Sequence, residues 1–480
     1  MDGWIGWWRV HSAAVHEDDR LTQADEAAVP DGTRSRAALL SFVWPGLGQL
    51  YRHRIPMALI FAVPPLLAVV ALALAAGDGL QILAARLLVP EVALTAMALI
   101  ALLAAWRVVS IFDARRTPGG GRQSSTRRSM MLALFLSVLV VACHGYAGYY
   151  AFALFQAGGL IHEPAGVLPS PTPHEGEGSP QPTIEPGQAE PPSPVPTPGE
   201  HGLINVLVVG NDRERGGALN TDSLIVASYD PDKNRVVMIS LPRDTAQVPM
   251  YDGSTWHGKI NSLFARASSR PDEFPAGGMG TLLAEMGYLV GIDIPYYISV
   301  DIPGFRELID VVGGVDVVLD RPINDHTYQF TPDRRGFSLE AGEHHLDGAT
   351  AEAYVRSRHG TGNSDFARAR RQQQVLLALR DRFDDPQVLV NLPTVLDSIT
   401  RVVRTNVPLD QLPEILQLLQ GSHGAEEERI VLGPRRYAER IPPAEINGLY
   451  ALRLKIDAVA ALSIELFGDR SRYAGLPVGQ

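Results

Sequence analysis

The sequence predicts a layered α/β fold, a mixed sheet with helices on both faces, preceded by an α-helical membrane region of about three spans. Three observations carry this. Uncharged apolar runs crowd residues 37–157, prolines crowd residues 158–201, and from residue 202 onward short β-branched strands alternate with helical spacings. Composition agrees: of 480 residues, 46% are hydrophobic and 20% charged, an apolar balance for a wholly soluble chain. A net charge of −11 argues against bulk nucleic-acid binding. The single cysteine, Cys143, excludes a disulfide framework and any multi-cysteine metal site.

Residues 1–36 are mixed polar, with Trp4, Trp7 and Trp8 near the start, and read as a cytoplasmic tail. They are not a signal peptide, because no apolar run follows a basic start. Residues 37–157 form the membrane region. Pro56–Ala76 carries no charge and is long enough to cross about 30 Å of hydrocarbon. Leu87–Trp106 and Met130–Phe155 are the second and third spans. Residues 37–50 are short for a span and contain Pro45, Gly46 and Gly48, so they read as re-entrant or interfacial. The loop between spans two and three holds Arg107, Arg115, Arg116, Arg122, Arg127 and Arg128 against Asp113 alone. Positive loops stay in the cytoplasm, and Arg52 and Arg54 before the first span agree. The expectation is a multi-pass cell-membrane protein with a cytoplasmic N-terminus and an extracytoplasmic C-terminal domain.

Residues 158–201 are a proline-rich linker, which favours extended geometry and reads as a stalk or a passive tether. The domain follows over 202–480. INVLVVG (204–210) is a continuous apolar strand, and SLIVASY (223–229) and RVVMISL (235–241) flank a DPDKN turn as a hairpin. Helices are expected at 278–291, 304–312, 348–355 and from Asp365 to about Phe383, with later ones in PTVLDSITRVV, LDQLPEILQLLQ and RLKIDAVAALSIELF. Strands are expected at 296–302 and 315–320.

Polar residues stand out at the ends of these elements. Asp212 follows the first strand and Asp222 opens the second. Arg243 and Asp244 close the third, and Lys259 with Asn261 begins a helix. Further on, YVRSRHGTGNSDFARARRQQQ holds Arg356, Arg358, Asp365, Arg368, Arg370, Arg371 and Gln372. Asp365, Arg368 and Gln372, spaced i, i+3, i+7, share a helix face that continues into Val375 and Leu379. Arg356 and Arg358 face one side only if the chain is extended there, so the helix before them should end near Arg356. Arginines converging on one place repel unless an anion sits among them, and their planar fork suits phosphate oxygens. Two carboxylates on adjacent strand ends beside such a cluster suit a hard cation such as Mg²⁺ or Mn²⁺. The residues alone point to a phosphate-handling site and leave the reaction open. The competing reading of the arginine run is a solvated basic face.

Taken in order, NVLVVGND, TDSLIVASYDPDKNRVVMISLPRDT, GKIN, GYLVGIDIPYYISVDIPGFRELIDVVGGVDV, LEAGEHHLDGATAEAYVRSRHG and SDFARARRQQQVL resemble the LytR-CpsA-Psr family of bacterial cell-envelope phosphotransferases, over about residues 205–379. The resemblance implies an enzyme that takes a glycopolymer or glycosyl phosphate from a polyprenyl-pyrophosphate carrier. The acceptor would be a sugar hydroxyl of peptidoglycan or another wall glycan, joined through a phosphodiester. By motif position it implies Asp212 and Asp222 as magnesium (or manganese) ligands, and Arg243, Arg356, Arg358 and Arg368 as a pyrophosphate clamp. Asp365 would orient the clamp, with Lys259, Arg371 and Gln372 nearby for substrate binding. The expected partners are the carrier-linked glycan, the wall acceptor and the membrane, with no nucleic acid. Two other readings stand beside this one: hydrolysis of the same pyrophosphate by water, and a non-enzymatic envelope regulator that binds lipid or polyanion.

Overall fold

The first apolar run of the domain becomes strand β1 (Ile204–Arg213) of a computed structural model, and its neighbours explain why it is apolar on both sides. The structure describes residues 31–116, 127–163, 202–213, 219–331, 334–360, 363–383, 385, 387–388, 391–446 and 448–475. The N-terminal tryptophans, Arg122 and the prolines of 164–198 fall outside these, as does the Asp212 side chain. Two compact units divide the chain: one is 1–77 with 94–151, the other 78–93 with 152–480.

In the second unit, β1 pairs antiparallel with β2 (Leu219–Asp230), and β2 with β3 (Arg235–Leu241). A short hairpin follows, β4 (Ala246–Pro249) with β5 (Thr255–Lys259). Strand β6 (Tyr296–Asp301) runs parallel to β1. Four more strands lie apart as pairs: β7 (Val315–Leu319) with β10 (Gly342–Leu346), and β8 (Ile323–Thr331) with β9 (Arg334–Leu339). Strands β11 (Val403–Thr405) and β12 (Glu426–Val431) close the main sheet, whose order is β11-β6-β1-β2-β3-β12. The last pair is β13 (Ala438–Arg440) with β14 (Leu452–Leu454).

The helices fall into two sets. The first unit holds α1 (Asp31–Val43), α2 (Leu47–Tyr51) and α3 (Ile55–Ala75). Helix α4 (Leu80–Arg86) belongs to the second unit, and α5 (Pro90–Ala114) and α6 (Arg127–Ile161) are shared between the two. The domain then contributes α7 (Leu263–Ser269), α8 (Gly277–Val290), α9 (Ile302–Val311), α10 (Gly348–Arg356) and α11 (Asp365–Arg382). Helices α12 (Leu392–Val402), α13 (Leu412–Gly421) and α14 (Ile456–Phe467) complete it.

Side chains alternate across a strand, and here each face meets helices. Leu207 and Val209 of β1, Leu224 and Val226 of β2, and Val237 and Ile239 of β3 join Leu282 and Met286 of α8 and Leu462 of α14. The alternate residues Ile204, Ile225, Val236 and Met238 turn to the other face, against Leu376 of α11 and Ile415 of α13. A sheet covered on both faces needs apolar residues at successive positions, so the run INVLVVG does not alternate. Gln373 of α11 is fully buried and pins its helix to the sheet, donating to the Met238 carbonyl (3.2 Å), Ser240 Oγ (2.9 Å) and the Ile430 carbonyl (2.9 Å).

Helices α3, α5 and α6 are each long and apolar enough to cross a membrane. The stretch 37–50 is the end of α1 and most of α2. At the corner, Gly46 has φ +97°, and a Cβ there would lie 2.3 Å from the Ala58 carbonyl oxygen. Helix α6 continues past residue 157 to Ile161, so the folded chain reaches further than composition marks.

Candidate functional site

The sheet places its polar residues at one end. Strands β1 and β2 stay paired to Arg213 opposite Leu219, but the register shifts at Gly210/Asn211: Ser223 faces Gly210 and Thr221 faces Asn211, so Asp222 is the extra residue of a bulge. Arg243 follows β3, the other neighbour of β2, and its Nη1 donates to Asp222 Oδ1 at 2.6 Å. Burial works against the Arg243 charge. The hydrogen bond from Asp222 and the charges of Asp222, Asp244 and Asp365 outweigh it and hold the guanidinium above its ordinary pKa. Lys259, ending β5, donates to Asp244 Oδ1 at 2.5 Å.

The opposing wall is the first two turns of α11. Ser364 caps this helix, its Oγ accepting from the Ala367 N–H at 3.1 Å. Asp365 then sits in the first turn, where a carboxylate favours the helix dipole. Its Oδ1 lies 3.3 Å from Arg368 Nη2. Arg368 is 7% exposed, and burial lowers its pKa; Arg243 and Arg358 push the same way, against Asp365 and Asp222. One cleft is lined by Asp222, Arg243, Asp244, Asp365, Arg368, Gln372 and Tyr450, over an apolar floor that includes Leu224, Leu241 and Phe366. Within it the Nε–H of Arg243 and that of Arg368 are buried and have no hydrogen-bond partner among the described residues. An unmet buried donor costs about 1–3 kcal/mol, more when charged. Two of them in one cleft are what an anion would satisfy.

Helix α10 ends at Arg356, and Ser357 is extended (φ −57°, ψ 132°), the break the arginine spacing requires. The turn beyond it is moulded by Asp325, which is 1% exposed. This carboxylate accepts from Ser357 Oγ (2.8 Å), His359 N–H (3.1 Å), Arg358 N–H (3.3 Å) and Thr327 Oγ1 (2.7 Å). Burial raises its pKa, but the hydrogen bonds win and lower it to about 2. Gly360 has φ +85°, and a Cβ there would meet the Asn324 carbonyl oxygen at 1.9 Å.

The expected site residues therefore separate. Asp222, Arg243, Asp365, Arg368 and Gln372 meet in the cleft, and Lys259 is joined to it through Asp244. Arg358 is exposed and close enough to act on Arg368. Arg356 is held by Glu352 at 3.0 Å, one turn back on its own helix, and does not line the cleft. Arg371 departs from its expected substrate-binding place. It is 6% exposed and donates to the carbonyls of Tyr354 (2.7 Å) and Ser357, groups that the end of α10 leaves unpaired. Burial lowers its pKa to about 10. Gln372 helps, its Nε2 lying 3.3 Å from the Val355 carbonyl oxygen. Arg370 is exposed, as its angle around the helix from Arg368 requires. Two cleft residues have no role in the sequence reading, Asp244 and Tyr450. Asp244 was visible beside Arg243 in LPRD, whereas Tyr450 carries no local signal.

Among the described residues no three of His, Cys, Asp and Glu converge as metal ligands. Mg²⁺ typically takes one or two carboxylates, with water and phosphate supplying the rest, so the hard oxygens of Asp222 fit that chemistry without a three-residue cage.

The LytR_cpsA_psr family model matches residues 183–453. Among curated relatives, the regulatory protein MsrR of Staphylococcus aureus is 33% identical over 210 residues, covering 43% of this chain and 57% of MsrR. The polyisoprenyl-teichoic acid–peptidoglycan teichoic acid transferase TagU of Bacillus cereus is 31% identical over 209 residues, covering 44% and 62%. The chain thus spans about three fifths of these relatives. Among solved structures, B. subtilis TagV is 26% identical with a TM-score of 0.43, covering 56% of this chain and 96% of TagV. TagT bound to LIIa-WTA is 21% identical with a TM-score of 0.41, covering 55% and 89%.

Proposed function

Because the chain belongs to the LytR-CpsA-Psr family, we propose that its C-terminal domain transfers a glycopolymer phosphate from a polyprenyl-pyrophosphate carrier to a sugar hydroxyl of the cell wall. The observation that carries this is the cleft with two buried, unpartnered guanidinium N–H groups, from Arg243 and Arg368. The pyrophosphate of the carrier is an anion of the right charge and oxygen geometry for them. TagU, named as a teichoic acid transferase to peptidoglycan, supports the same substrate class.

The residues divide the work as follows. Arg243 and Arg368 hold the pyrophosphate oxygens, and Arg358, exposed beside them, adds charge from the turn that Asp325 shapes. Asp222 fixes the Arg243 guanidinium and Asp365 fixes that of Arg368, so neither reorganises as charge develops. The acceptor hydroxyl oxygen attacks the sugar-side phosphorus. A new P–O bond forms as the P–O–P bond breaks, and polyprenyl phosphate leaves, the hydroxyl proton passing to that leaving phosphate or to solvent. Asp222, together with Asp212 at the neighbouring strand end, would hold Mg²⁺, which neutralises charge on the phosphate oxygens when bound. Orientation follows from the arginines flanking α5 and α6: the N-terminus inside, the domain outside.

The test uses the full chain in detergent with a polyprenyl-pyrophosphate glycan, Mg²⁺ and wall glycan. Polyprenyl phosphate release matched by a new phosphodiester on the acceptor is the expected result. Release without acceptor labelling would mean water is the acceptor. No release, with the glycan still bound, would leave a binding module.

A further inference from the structure

The proline-rich segment 164–201 begins after the chain has already joined the domain. From Phe152 onward, helix α6 belongs to the same unit as the sheet, as do residues 78–93 between the first two long helices. There Leu154 and Ala157 of α6 are buried with Leu88 of that connection and Leu396 of α12, and Leu409 and Leu412 pack on them. The approach is close enough to need a glycine: a Cβ on Gly158 would lie 2.3 Å from the Leu88 carbonyl oxygen and 3.1 Å from Leu409. Beyond Ile161 the chain extends along the sheet edge. His162 bridges Thr405 of β11, and the Glu163 N–H donates to the Thr405 carbonyl at 2.7 Å. The Tyr297 hydroxyl, from β6, donates to the Glu163 carbonyl at 2.7 Å. On the far side of the segment, Ile204 opens β1, which is hydrogen-bonded to β6. Both ends of the segment are therefore fixed to one sheet.

A second observation is independent. If α3, α5 and α6 each cross the membrane, two crossings separate residues 78–93 from the domain, which puts both on one side. Packing between them requires this.

We infer that the domain is seated on the outer ends of α5 and α6 through α4, α12, α13 and β11. The residues that flank the proline-rich segment on either side are both tied to the domain, so that segment is not the connection that holds the domain at the membrane. This goes beyond the proposed activity and does not depend on it.

The experiment inserts a specific protease sequence between Gly187 and Gln188 of the full chain in membranes, cleaves it and sediments the membranes. Most of the fragment carrying residues 204–480 should remain in the pellet, in high salt as in low. Release of the fragment on cleavage would overturn the inference. Leu88→Asp and, separately, Gly158→Leu lie outside the domain and leave its core untouched. Each should turn retention into release after cleavage, the freed fragment staying soluble and protease-resistant. Retention that survives both substitutions would show that something other than this interface holds the fragment, and would equally overturn it.

Discussion

Arg243 Nη1 and Asp222 Oδ1 meet at 2.6 Å across neighbouring strand ends, while the Nε–H of the same guanidinium is buried without a partner. The ion pair therefore holds Arg243 in place and leaves one of its donors, 3.9 Å from Asp244 Oδ2, without a hydrogen bond among the described residues. Asp222→Asn should abolish turnover, because it loosens Arg243 and removes a carboxylate from the proposed Mg²⁺ site. The pair is about one-fifth exposed, so its loss should lower unfolding stability by only about 1 kcal/mol. Chelation should mimic the turnover loss with no shift in the urea midpoint. Full turnover in excess chelator would remove the metal from the mechanism.

Arg368 and Arg370 lie two residues apart on one helix, one buried and one exposed. Arg368→Lys should lower kcat by about 10²–10³, on the scale of a lost preorganised donor, with KM little changed. Arg370→Lys should change neither. Equal effects in steady-state kinetics would mean that burial does not mark the functional arginine.

Arg371→Met tests a structural role. It leaves the carbonyls of Tyr354 and Ser357 without their donor, and should cost about 3 kcal/mol in denaturant unfolding. Unchanged stability with lost substrate binding would return Arg371 to the site.

Two buried carboxylates set opposite pH dependences. Asp325 has its pKa lowered to about 2, so its contribution is present above the unfolded value of about 3.9 and is lost as pH falls from 4 toward 2. Asp325→Asn should remove about 2 kcal/mol at neutral pH and flatten that acid limb. Glu285, fully buried on α8, accepts among the described residues only from the Tyr251 N–H, and burial raises its pKa to about 8. A raised carboxyl pKa means the folded state binds the proton more tightly, so stability declines as pH rises from about 4 to 8. Glu285→Gln should stabilise the domain by a few kcal/mol at pH 8 and not at pH 4, measured by urea unfolding at both.

The four central strands of the main sheet, β6, β1, β2 and β3, were legible because burial on both faces left apolar runs, as in INVLVVG and RVVMISL; the edge strands β11 and β12, VRT and EEERIV, are short or charged and were not. The helices were legible because Asp365, Arg368 and Gln372 continue a stripe into buried Val375. The β8–β9 hairpin was not: INDHTYQFT and RRGFSL are mostly polar, and their aromatic residues Tyr328, Phe330 and Phe337 find their core only through tertiary packing beside Phe305, Ile309 and Tyr354. Within the site, Arg368 and Arg371 look alike in RARR. Helix phase alone puts both near the buried side, and which one meets the end of α10 is decided by tertiary packing. Tyr450 reaches the cleft from the turn before β14, a distance in sequence that no local pattern can bridge.

The bridge from His162 to Thr405 changes the kind of search the protein performs. On a stalk of forty-odd residues, at ~3.1 Å each, the cleft would roam a half-sphere of about 100 Å radius. Seated, it is confined to a layer on the order of 20 Å deep, the radius of a domain this size. Under the proposed transfer, the carrier lipids would diffuse in the plane beneath that layer. Encounter becomes nearly two-dimensional, and the effective concentration of one for the other rises several-fold without any new contact. Under the proposed transfer, the wall acceptor would gain nothing from this confinement and would have to come down to the cleft.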